Sequence, residues 1–284
     1  MIYGVRGYKT HAKIFLAVRR TAQGIRRYVH LATGNYNDRT ARLYTDFGLM
    51  TSNPEIGEDA SAFFNALTGY SDPPRMKMLV LAPTRMRERC LDLIQREKRR
   101  AEAGQAAEIR AKMNALVDED LIRALYEASS AGVRVRLAVR GICCLRPGLK
   151  GVSEGIDVVS IVDRFLEHSR ILYFHNGGDE EVYLSSADWM PRNLDRRIEL
   201  LFPVLAPDCR SKVLRALDAM FQDNVKARVL QSDGSYKRKR PARGEDPWRA
   251  QILLYREAEQ ERKRHLASAG IVFEPQSAPD QKGA

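Results

Sequence analysis

The residues best suited to chemistry are two histidines, each followed two positions later by a cation. His11 precedes Lys13, and His168 precedes Arg170. An apolar run follows each pair, so each motif is expected at the start of a β-strand, where residues i and i+2 share one face. Each imidazole and its cation are therefore predicted to point in the same direction.

These four side chains suit the chemistry of phosphoryl groups. A neutral imidazole nitrogen is a good nucleophile toward phosphorus, and a second imidazole across a cleft can assist the leaving or attacking oxygen. Lys13 and Arg170 would neutralise charge on phosphoryl oxygens, and such cations also disfavour the protonated form of a nearby histidine. Because a phosphohistidine keeps a high transfer potential, the pattern predicts reversible exchange of phosphate between phosphoanhydrides.

The two motifs belong to a longer internal repeat. The segment that begins at Thr33 aligns without a gap with the segment that begins at Ser186. A duplicated motif implies a pseudo-two-fold site, in which one histidine from each half faces a shared cleft. The matched polar pairs are Asn35 with Asp188, Arg39 with Arg192, and Asp46 with Glu199.

The repeated polar residues have two interpretations each. Asn35 and Asp188 are predicted to stabilise charge beside the histidines, or else to form turns, which both residue types favour. Arg39 and Arg192 are predicted to reach the phosphate groups, or else to fix the turn by pairing with the two repeated carboxylates. The sequence leaves both alternatives open.

Five segments together resemble a known enzyme family. They read YGVRGYKTHAKIFL, TGNYNDRTARLYTDFGL, VRGICCL, SIVDRFLEHSRI and YLSSADWMPRNLDRRIEL. In this order they resemble the C-terminal half of the large bacterial polyphosphate kinase, from about residue 2 to about residue 256. The resemblance implies an α/β, phospholipase D-like fold with two pseudo-repeated mixed-sheet units and flanking helices. It also implies reversible transfer of the γ-phosphate of ATP to polyphosphate through a phosphohistidine.

The resemblance also implies a role for individual residues. His11 matches the phosphorylated nucleophile, and His168 matches its acid–base partner, which also contacts the nucleotide. Tyr44 and Arg140 match two further nucleotide contacts. Magnesium is expected with ATP, bridging its phosphates, and no residue is predicted to ligate a metal. ATP or ADP and inorganic polyphosphate are the expected partners, with no specific nucleic acid.

One departure from the wider phospholipase D-like superfamily favours the kinase. Its phospholipases and nucleases usually carry an aspartate seven residues after the histidine, whereas this chain has Val18 and His175 there. Two alternatives remain: a phosphodiesterase or nuclease, and an inactive remnant that binds polyanions.

Composition favours an acidic partner and a reducing compartment. The formal charge of the 284 residues is +11, which suits polyphosphate, nucleic acid or an anionic membrane. The four cysteines lack C-x-x-C spacing, so they are predicted to be reduced thiols. No stretch approaches the roughly 18 apolar residues that cross a bilayer. A cytoplasmic location is expected, with peripheral attachment to the inner membrane as an alternative.

Three regions are predicted along the chain. Residues 1–74 are interpreted as a truncated first catalytic domain, bounded by Pro73 and Pro74, and residues 75–228 as a complete second one. Residues 229–284 are interpreted as a basic tail with one amphipathic helix and a disordered end. Because only ten residues precede His11, we expect a truncated or split product. Its missing N-terminal domains could reach it as a separate chain, and homo-oligomerisation is compatible with the pattern.

Periodicity and turn residues predict the main elements. Residues 109–113 fit a strand, although a helical period fits them nearly as well. Trp248, Ile252 and Tyr255 are predicted to share one face of the tail helix. The predicted helices are 58–67, 87–101, 118–131 and 208–221, and the predicted strands are 28–32, 78–81, 133–139, 156–162 and 182–184.

Overall fold

The computed structural model of the chain describes residues 4–5, 7–22, 24–69 and 75–268. These residues form a mixed α/β fold with one ten-stranded sheet, one three-stranded sheet and one two-stranded sheet. We call the described residues up to 69 the first half and residues 75–268 the second half, since each contains one copy of the repeat.

The first half is built around a three-stranded antiparallel sheet. Its elements are β1 (Lys9–Thr10), β2 (Ile14–Thr21), β3 (Gly24–Ala32), α1 (Asp38–Ala41), β4 (Tyr44–Thr45), β5 (Gly48–Thr51) and α2 (Pro54–Leu67). The sheet has the order β2-β3-β5, and α2 packs on one of its faces. The Asn53 side chain caps α2 by accepting from the Ile56 amide, and Pro54 occupies the first turn, where no amide donor is needed.

The second half supplies most of the large sheet. Its elements are β6 (Val80–Ala82), α3 (Met86–Glu102), β7 (Glu108–Met113), α4 (Glu119–Ser130), β8 (Arg134–Val139), β9 (Ile156–Ile161), β10 (Leu166–Glu167), β11 (Arg170–Phe174), β12 (Glu181–Ser185), α5 (Pro191–Arg196), β13 (Arg197–Pro203), α6 (Pro207–Gln222), β14 (Ala227–Leu230), β15 (Tyr236–Arg238) and α7 (Ala250–Ser268). The strand order is β1-β13-β12-β11-β7-β8-β9-β14-β15, with β6 also paired to β13. The first half therefore contributes β1 to this sheet.

The centre of the large sheet is covered on both faces. All five residues of β11 are buried, which explains why its sequence is a continuous apolar run after Arg170. α3 and α4 cover one face through a core that includes Leu93 and Leu125. α6 and the first half cover the other face through a second core.

The second core joins the two halves. It contains Leu31 of β3 and Phe63 of α2 from the first half, together with Tyr173 of β11 and Phe202 of β13 from the second. All four side chains are at most 1 % exposed. Burial of each contributes on the order of 2 kcal/mol, so this core holds the two copies of the repeat in one fixed arrangement.

Most of the predicted elements are confirmed. The four predicted helices are α2, α3, α4 and α6, and the five predicted strands are β3, β6, β8, β9 and β12. Residues 109–113 lie in strand β7, so the helical alternative was wrong. α2 begins four residues before the predicted start because Asn53 and Pro54 form a stronger helix start than the apolar pattern indicates.

The prediction that each histidine lies within a strand was wrong. Residues 11–13 have no regular structure and connect β1 in the large sheet to β2 in the small one. His168 lies likewise between β10 and β11, which belong to different sheets. Each histidine therefore occupies the point where the chain changes sheets, a position that alternation alone does not reveal.

The C-terminal region adds strands and a helix to the second half. The boundary expected at residue 229 falls inside β14, and Lys237 and Arg238 of the basic run lie in β15 at the sheet edge. Trp248 precedes α7 and Tyr255 is 62 % exposed, so the shared apolar face predicted for them was wrong. The expected boundary at 73–74 and the expected disorder after residue 276 lie outside the described residues. No helix in the described part of the chain is long and apolar enough to cross a membrane.

Candidate active site

A short strand of each half pairs with a strand of the other half, directly beside a histidine. β1 of the first half pairs in parallel with the start of β13 in the second. β10 of the second half pairs in parallel with β4 of the first. The two pairings are equivalent under the repeat, so the site has the predicted pseudo-two-fold arrangement, with the halves interlocked.

Main-chain hydrogen bonds anchor both histidine loops in the opposite half. The amides of His11 and of the next residue both donate to the Ile198 carbonyl at 2.9 Å. The amides of His168 and of the next residue donate to the Thr45 carbonyl at 3.2 and 2.9 Å. In each case, the accepting residue directly precedes one of the two repeated carboxylates.

Those carboxylates bind the histidine of the other half. Glu199 Oε2 lies 2.8 Å from His11 Nδ1, and both oxygens of Asp46 lie 2.9 Å from His168 Nδ1. A carboxylate at Nδ1 favours the tautomer that carries its proton there, so the lone pair of the neutral ring is on Nε2. This geometry prepares both imidazoles for reaction at Nε2.

Hydroxyl groups hold the carboxylates in place. Thr33 Oγ1 donates to Asp46 Oδ1 at 2.7 Å, and Ser186 Oγ donates to Glu199 Oε2 at 2.5 Å. A Cβ on Gly34 would lie only 2.3 Å from Asp46 Oδ2. The turn made by Thr33, Gly34 and Asn35 therefore carries glycine because a side chain there would displace the carboxylate that orients His168.

A buried cation accompanies each histidine, as the two-residue spacing predicted. Lys13 Nζ lies 3.1 and 3.0 Å from the two ring nitrogens of His11. Arg170 Nη1 lies 3.4 and 3.1 Å from those of His168. Burial lowers the pKa of Lys13 to about 8, with Arg170 adding to the effect and the Glu199 carboxylate opposing it. Both cations are thus held beside the ring nitrogens of the two histidines.

Burial also lowers the pKa of His168, and nearby Arg170 lowers it further. The hydrogen bond that His168 donates to Asp46 works in the opposite direction without cancelling these effects. At neutral pH the His168 ring is therefore mainly neutral, as general-base chemistry at Nε2 requires.

Asp188 holds the Arg170 guanidinium through two hydrogen bonds, at 3.1 and 2.9 Å. Burial raises the pKa of Asp188, but Arg170 and the donors of Asn114 outweigh burial, so its pKa lies below the ordinary value. Asn35, the matching residue of the first half, is exposed in its turn. The two members of this pair thus occupy different surroundings.

Asn114 and Lys112 complete the second half of the site, and sequence reasoning missed both. Asn114 donates to the His168 carbonyl at 3.0 Å and accepts from Arg140 at 3.1 and 2.9 Å. Lys112 is 2 % exposed and donates to the Ser169 carbonyl at 2.9 Å. Their position at the end of buried strand β7, beside the end of β8 that carries Arg140, was the available signal.

The remaining predicted residues lie around this centre. The Tyr44 ring is centred 4.9 Å from the His168 ring. Arg39 in α1 and Arg192 in α5 are exposed. Their proposed pairing with the repeated carboxylates was wrong, because Asp46 and Glu199 bind the histidines instead.

The carboxylates of the site are already engaged by protein donors. Asp46, Asp188 and Glu199 bind, respectively, His168, Arg170 and His11. No group of three or more His, Cys, Asp or Glu residues in the described ranges could hold a metal ion.

Comparisons with known proteins agree with this geometry. Residues 1–73 match the family model described as polyphosphate kinase C-terminal domain 1, and residues 79–251 match C-terminal domain 2. The chain belongs to the polyphosphate kinase family. The polyphosphate kinase of Rhodopirellula baltica is 55 % identical over 274 residues, which cover 96 % of this chain and 32 % of that protein. The Pseudomonas aeruginosa enzyme is 52 % identical, with 89 % and 37 % covered.

Solved structures show the same family and fold. The crystal structure of polyphosphate kinase from Porphyromonas gingivalis superposes with a TM-score of 0.86 at 41 % identity, over 93 % of this chain and 41 % of that one. Phosphatidylserine synthase from Haemophilus influenzae shares the fold at a TM-score of 0.52 and 11 % identity, over 85 % and 69 %. The predicted family resemblance and the α/β, phospholipase D-like fold class are confirmed. The chain spans about a third of the length of the curated polyphosphate kinases described above.

Proposed function

We propose that this chain is the C-terminal catalytic part of a polyphosphate kinase. It would transfer the γ-phosphate of ATP reversibly to the end of inorganic polyphosphate through a phosphohistidine on His11. The observation that best supports this proposal is the crossed pair of carboxylates. Glu199 and Asp46 bind Nδ1 of the two imidazoles, which puts the ring lone pair on Nε2, and a buried cation lies within hydrogen-bond distance of each Nε2.

In the first step, His11 Nε2 attacks the γ-phosphorus of ATP. The new P–N bond forms as the bond to the bridging oxygen of ADP breaks, and the electron pair leaves with ADP. Lys13 stabilises the charge on the transferring phosphoryl oxygens, and Arg170 stabilises charge on the other side of the site. The proton stays on His11 Nδ1, which donates it in a hydrogen bond to Glu199, and the carboxylate stabilises the positive charge that the ring gains.

In the second step, a terminal oxygen of polyphosphate attacks the phosphohistidine. A P–O bond forms, the P–N bond breaks, and the electron pair returns to His11. His168, which is mainly neutral, takes up the proton of the incoming phosphate at Nε2 when that phosphate is protonated. The same steps in reverse produce ATP from ADP.

Substrate contacts follow from the surroundings of His168. Tyr44 and Arg140 would contact the nucleotide, and Arg39, Arg192, Asn35 and Asp188 would contact or support the phosphate chain. Magnesium would enter as part of the ATP complex and neutralise phosphate charge. None of the described residues is assigned to it as a ligand.

The repeat also suggests a partner for the first half. In the second half β11 pairs with both β12 and β7, and β7 brings Lys112 and Asn114 to the site. β2 is the equivalent of β11, yet within the described ranges it pairs with β3 alone. We propose that the polypeptide corresponding to the preceding part of the relatives adds a strand to β2, in the same or a separate chain. Homo-oligomers remain compatible with this arrangement.

Labelling with γ-labelled ATP tests the proposed function. The chain should be assayed alone and together with the polypeptide that corresponds to the preceding part of its relatives. We expect base-stable, acid-labile label that is lost in His11→Ala and kept in His30→Ala. The His30 ring, on β3, hydrogen-bonds to Tyr36 and to no carboxylate or cation among the contacts of the described residues. Label that persists in His11→Ala would contradict the proposal.

A phosphodiester-cleavage assay and a polyphosphate-binding assay, run beside the labelling, separate the alternative functions. Cleavage of a phosphodiester without incorporation of label would favour the diesterase. Salt-dependent polyphosphate binding that is unchanged in a His11→Ala, His168→Ala double variant, with no label in any protein, would favour a polyanion-binding remnant.

A further inference from the structure

The helix α7 contacts the loop before His168 through one buried side chain. Gln251 is 7 % exposed. Its Oε1 accepts from the Phe165 amide at 2.9 Å, and its Nε2 donates to the Phe165 carbonyl at 2.9 Å. The side-chain amide therefore pairs with the main chain of the loop as a neighbouring strand would. Nε2 also donates to Glu167 Oε1 at 2.6 Å.

Glu167 connects this helix to both halves of the site. Its side chain is 4 % exposed. It accepts from Thr45 Oγ1 of the first half at 2.8 Å and lies 3.3 Å from Lys112 Nζ of β7. Lys112 in turn donates to the Ser169 carbonyl and hydroxyl. The residues directly before and after His168 are thus held by one buried polar network that begins at Gln251.

The start of α7 is itself firmly fixed. Asp223 is fully buried and accepts from the Ala250 amide at 2.8 Å. Arg249 forms an ion pair with Asp163 in the loop that leads to His168. These contacts fix the position of Gln251 against the loop. Neither the helix nor the glutamine belongs to the repeat.

We propose that Gln251 is a positioning residue for His168, through which the C-terminal helix α7 fixes the geometry of the reacting imidazole. Without the glutamine amide, two main-chain groups of Phe165 and one oxygen of Glu167 would lose buried partners. The loop would have to move to hydrate them. His168 would then leave its place between the Asp46 carboxylate, the Arg170 guanidinium, the nearby Lys13 ammonium and the Tyr44 ring.

The test compares Gln251→Leu with Gln260→Leu in the same helix, because Gln260 is exposed. The readout is the titration of His168 by NMR, assigned from the signal that His168→Gln removes. Burial keeps the pKa of His168 low in the parent. We expect Gln251→Leu to raise it toward about 6.5, the value of an unperturbed histidine, whereas Gln260→Leu leaves it unchanged.

An unchanged His168 pKa in a folded Gln251→Leu protein would overturn the proposal and leave Gln251 a purely stabilising role. If the leucine variant does not fold, Gln251→Asn serves instead, because the shorter amide cannot reach both Phe165 and Glu167. We then expect a smaller shift in the same direction, and no shift would again count against the proposal.

Only the kinetic readout rests on the proposed function. If the parent protein forms phosphohistidine, Gln251→Leu should lower kcat about tenfold with little change in the KM for ATP, since orientation rather than binding is lost. A parent that takes no label would contradict the proposed function, while the titration would still decide whether Gln251 positions His168.

Discussion

Glu199, in the second half of the molecule, hydrogen-bonds the Nδ1 atom of His11, in the first half, at 2.8 Å. The repeat produces the reciprocal contact between Asp46 and His168. Each imidazole is thus oriented by the half that does not carry it. Neither half alone supplies both a histidine and the carboxylate that binds its Nδ1. This gives a physical reason for the two copies to remain packed on one shared core.

Replacement of Glu199 by glutamine tests how much this crossed contact contributes to the rate of phosphohistidine formation. A glutamine amide can donate to Nδ1 and so favour the tautomer with the proton on Nε2, where the lone pair is needed. By comparison with carboxylates that orient histidines in hydrolase triads, we expect phosphohistidine formation to fall by about 100-fold or more. The measurement is the initial rate of labelling from γ-labelled ATP.

Glu88→Gln is the matched control for this experiment, because Glu88 is an exposed residue of α3. It should label at the parent rate. Equal rates for Glu199→Gln and the parent would show that the carboxylate does not control the tautomer of His11.

A second prediction concerns Gly34. The added methyl group of Gly34→Ala would meet the Asp46 carboxylate and move it away from His168. Because the hydrogen bond that His168 donates to Asp46 raises the pKa of His168, we expect that pKa to fall further in Gly34→Ala and, by a similar amount, in Asp46→Asn. Titration of His168 by NMR measures both effects.

The exposed carboxylate of Asp38 in α1 provides the control, since Asp38→Asn removes a charge from the same segment without contacting the histidine. This variant should titrate like the parent. A rise in the His168 pKa in Gly34→Ala would mean that the methyl group opens the site to water rather than displacing the carboxylate.

The third prediction is a loss of rate at alkaline pH. Burial lowers the pKa of Lys13 to about 8, so this ammonium loses its charge within an accessible pH range. Below that value the cation is present, and above it the developing phosphoryl charge is uncompensated. The rate of phosphohistidine formation should therefore fall as the pH rises through about 8.

Lys13→Arg distinguishes this cause from others, because a guanidinium stays protonated at such pH values. Its rate should be lower at neutral pH, owing to the different geometry, but the alkaline loss should disappear. Lys9→Arg, at an exposed position of β1, should keep the profile of the parent. An alkaline loss that persists in Lys13→Arg would assign the titration to another group.

The repeat explains which parts of the site were predictable from the sequence. It aligned the two histidines and paired Asp46 with Glu199, but the sequence indicated a role at the site for the histidines and not for these two carboxylates. The sequence could not indicate that the contacts cross between the copies. A strand shared between halves, such as β1 on β13, depends on three-dimensional packing rather than on local periodicity.

Residues outside the repeat were missed for a different reason. Gln251 follows a basic, loop-like segment in the sequence, where composition indicated a tail. Its importance depends on Asp223, which lies 28 residues earlier and fixes the start of α7. Such a contact between distant polar residues has no sequence period, so only the structure reveals it.

The final prediction is that Asp223 is a major source of stability for the C-terminal region. Its buried carboxylate accepts from the amides of Val225, Lys226 and Ala227 as well as from Ala250. Asp223→Ala leaves these four donors unpaired, so we expect the free energy of unfolding to fall by about 3 kcal/mol. Urea denaturation measures the loss, and Asp233→Ala, at an exposed position, should leave the midpoint of unfolding almost unchanged. Equal stability of the two variants would show that water replaces the carboxylate at the start of α7.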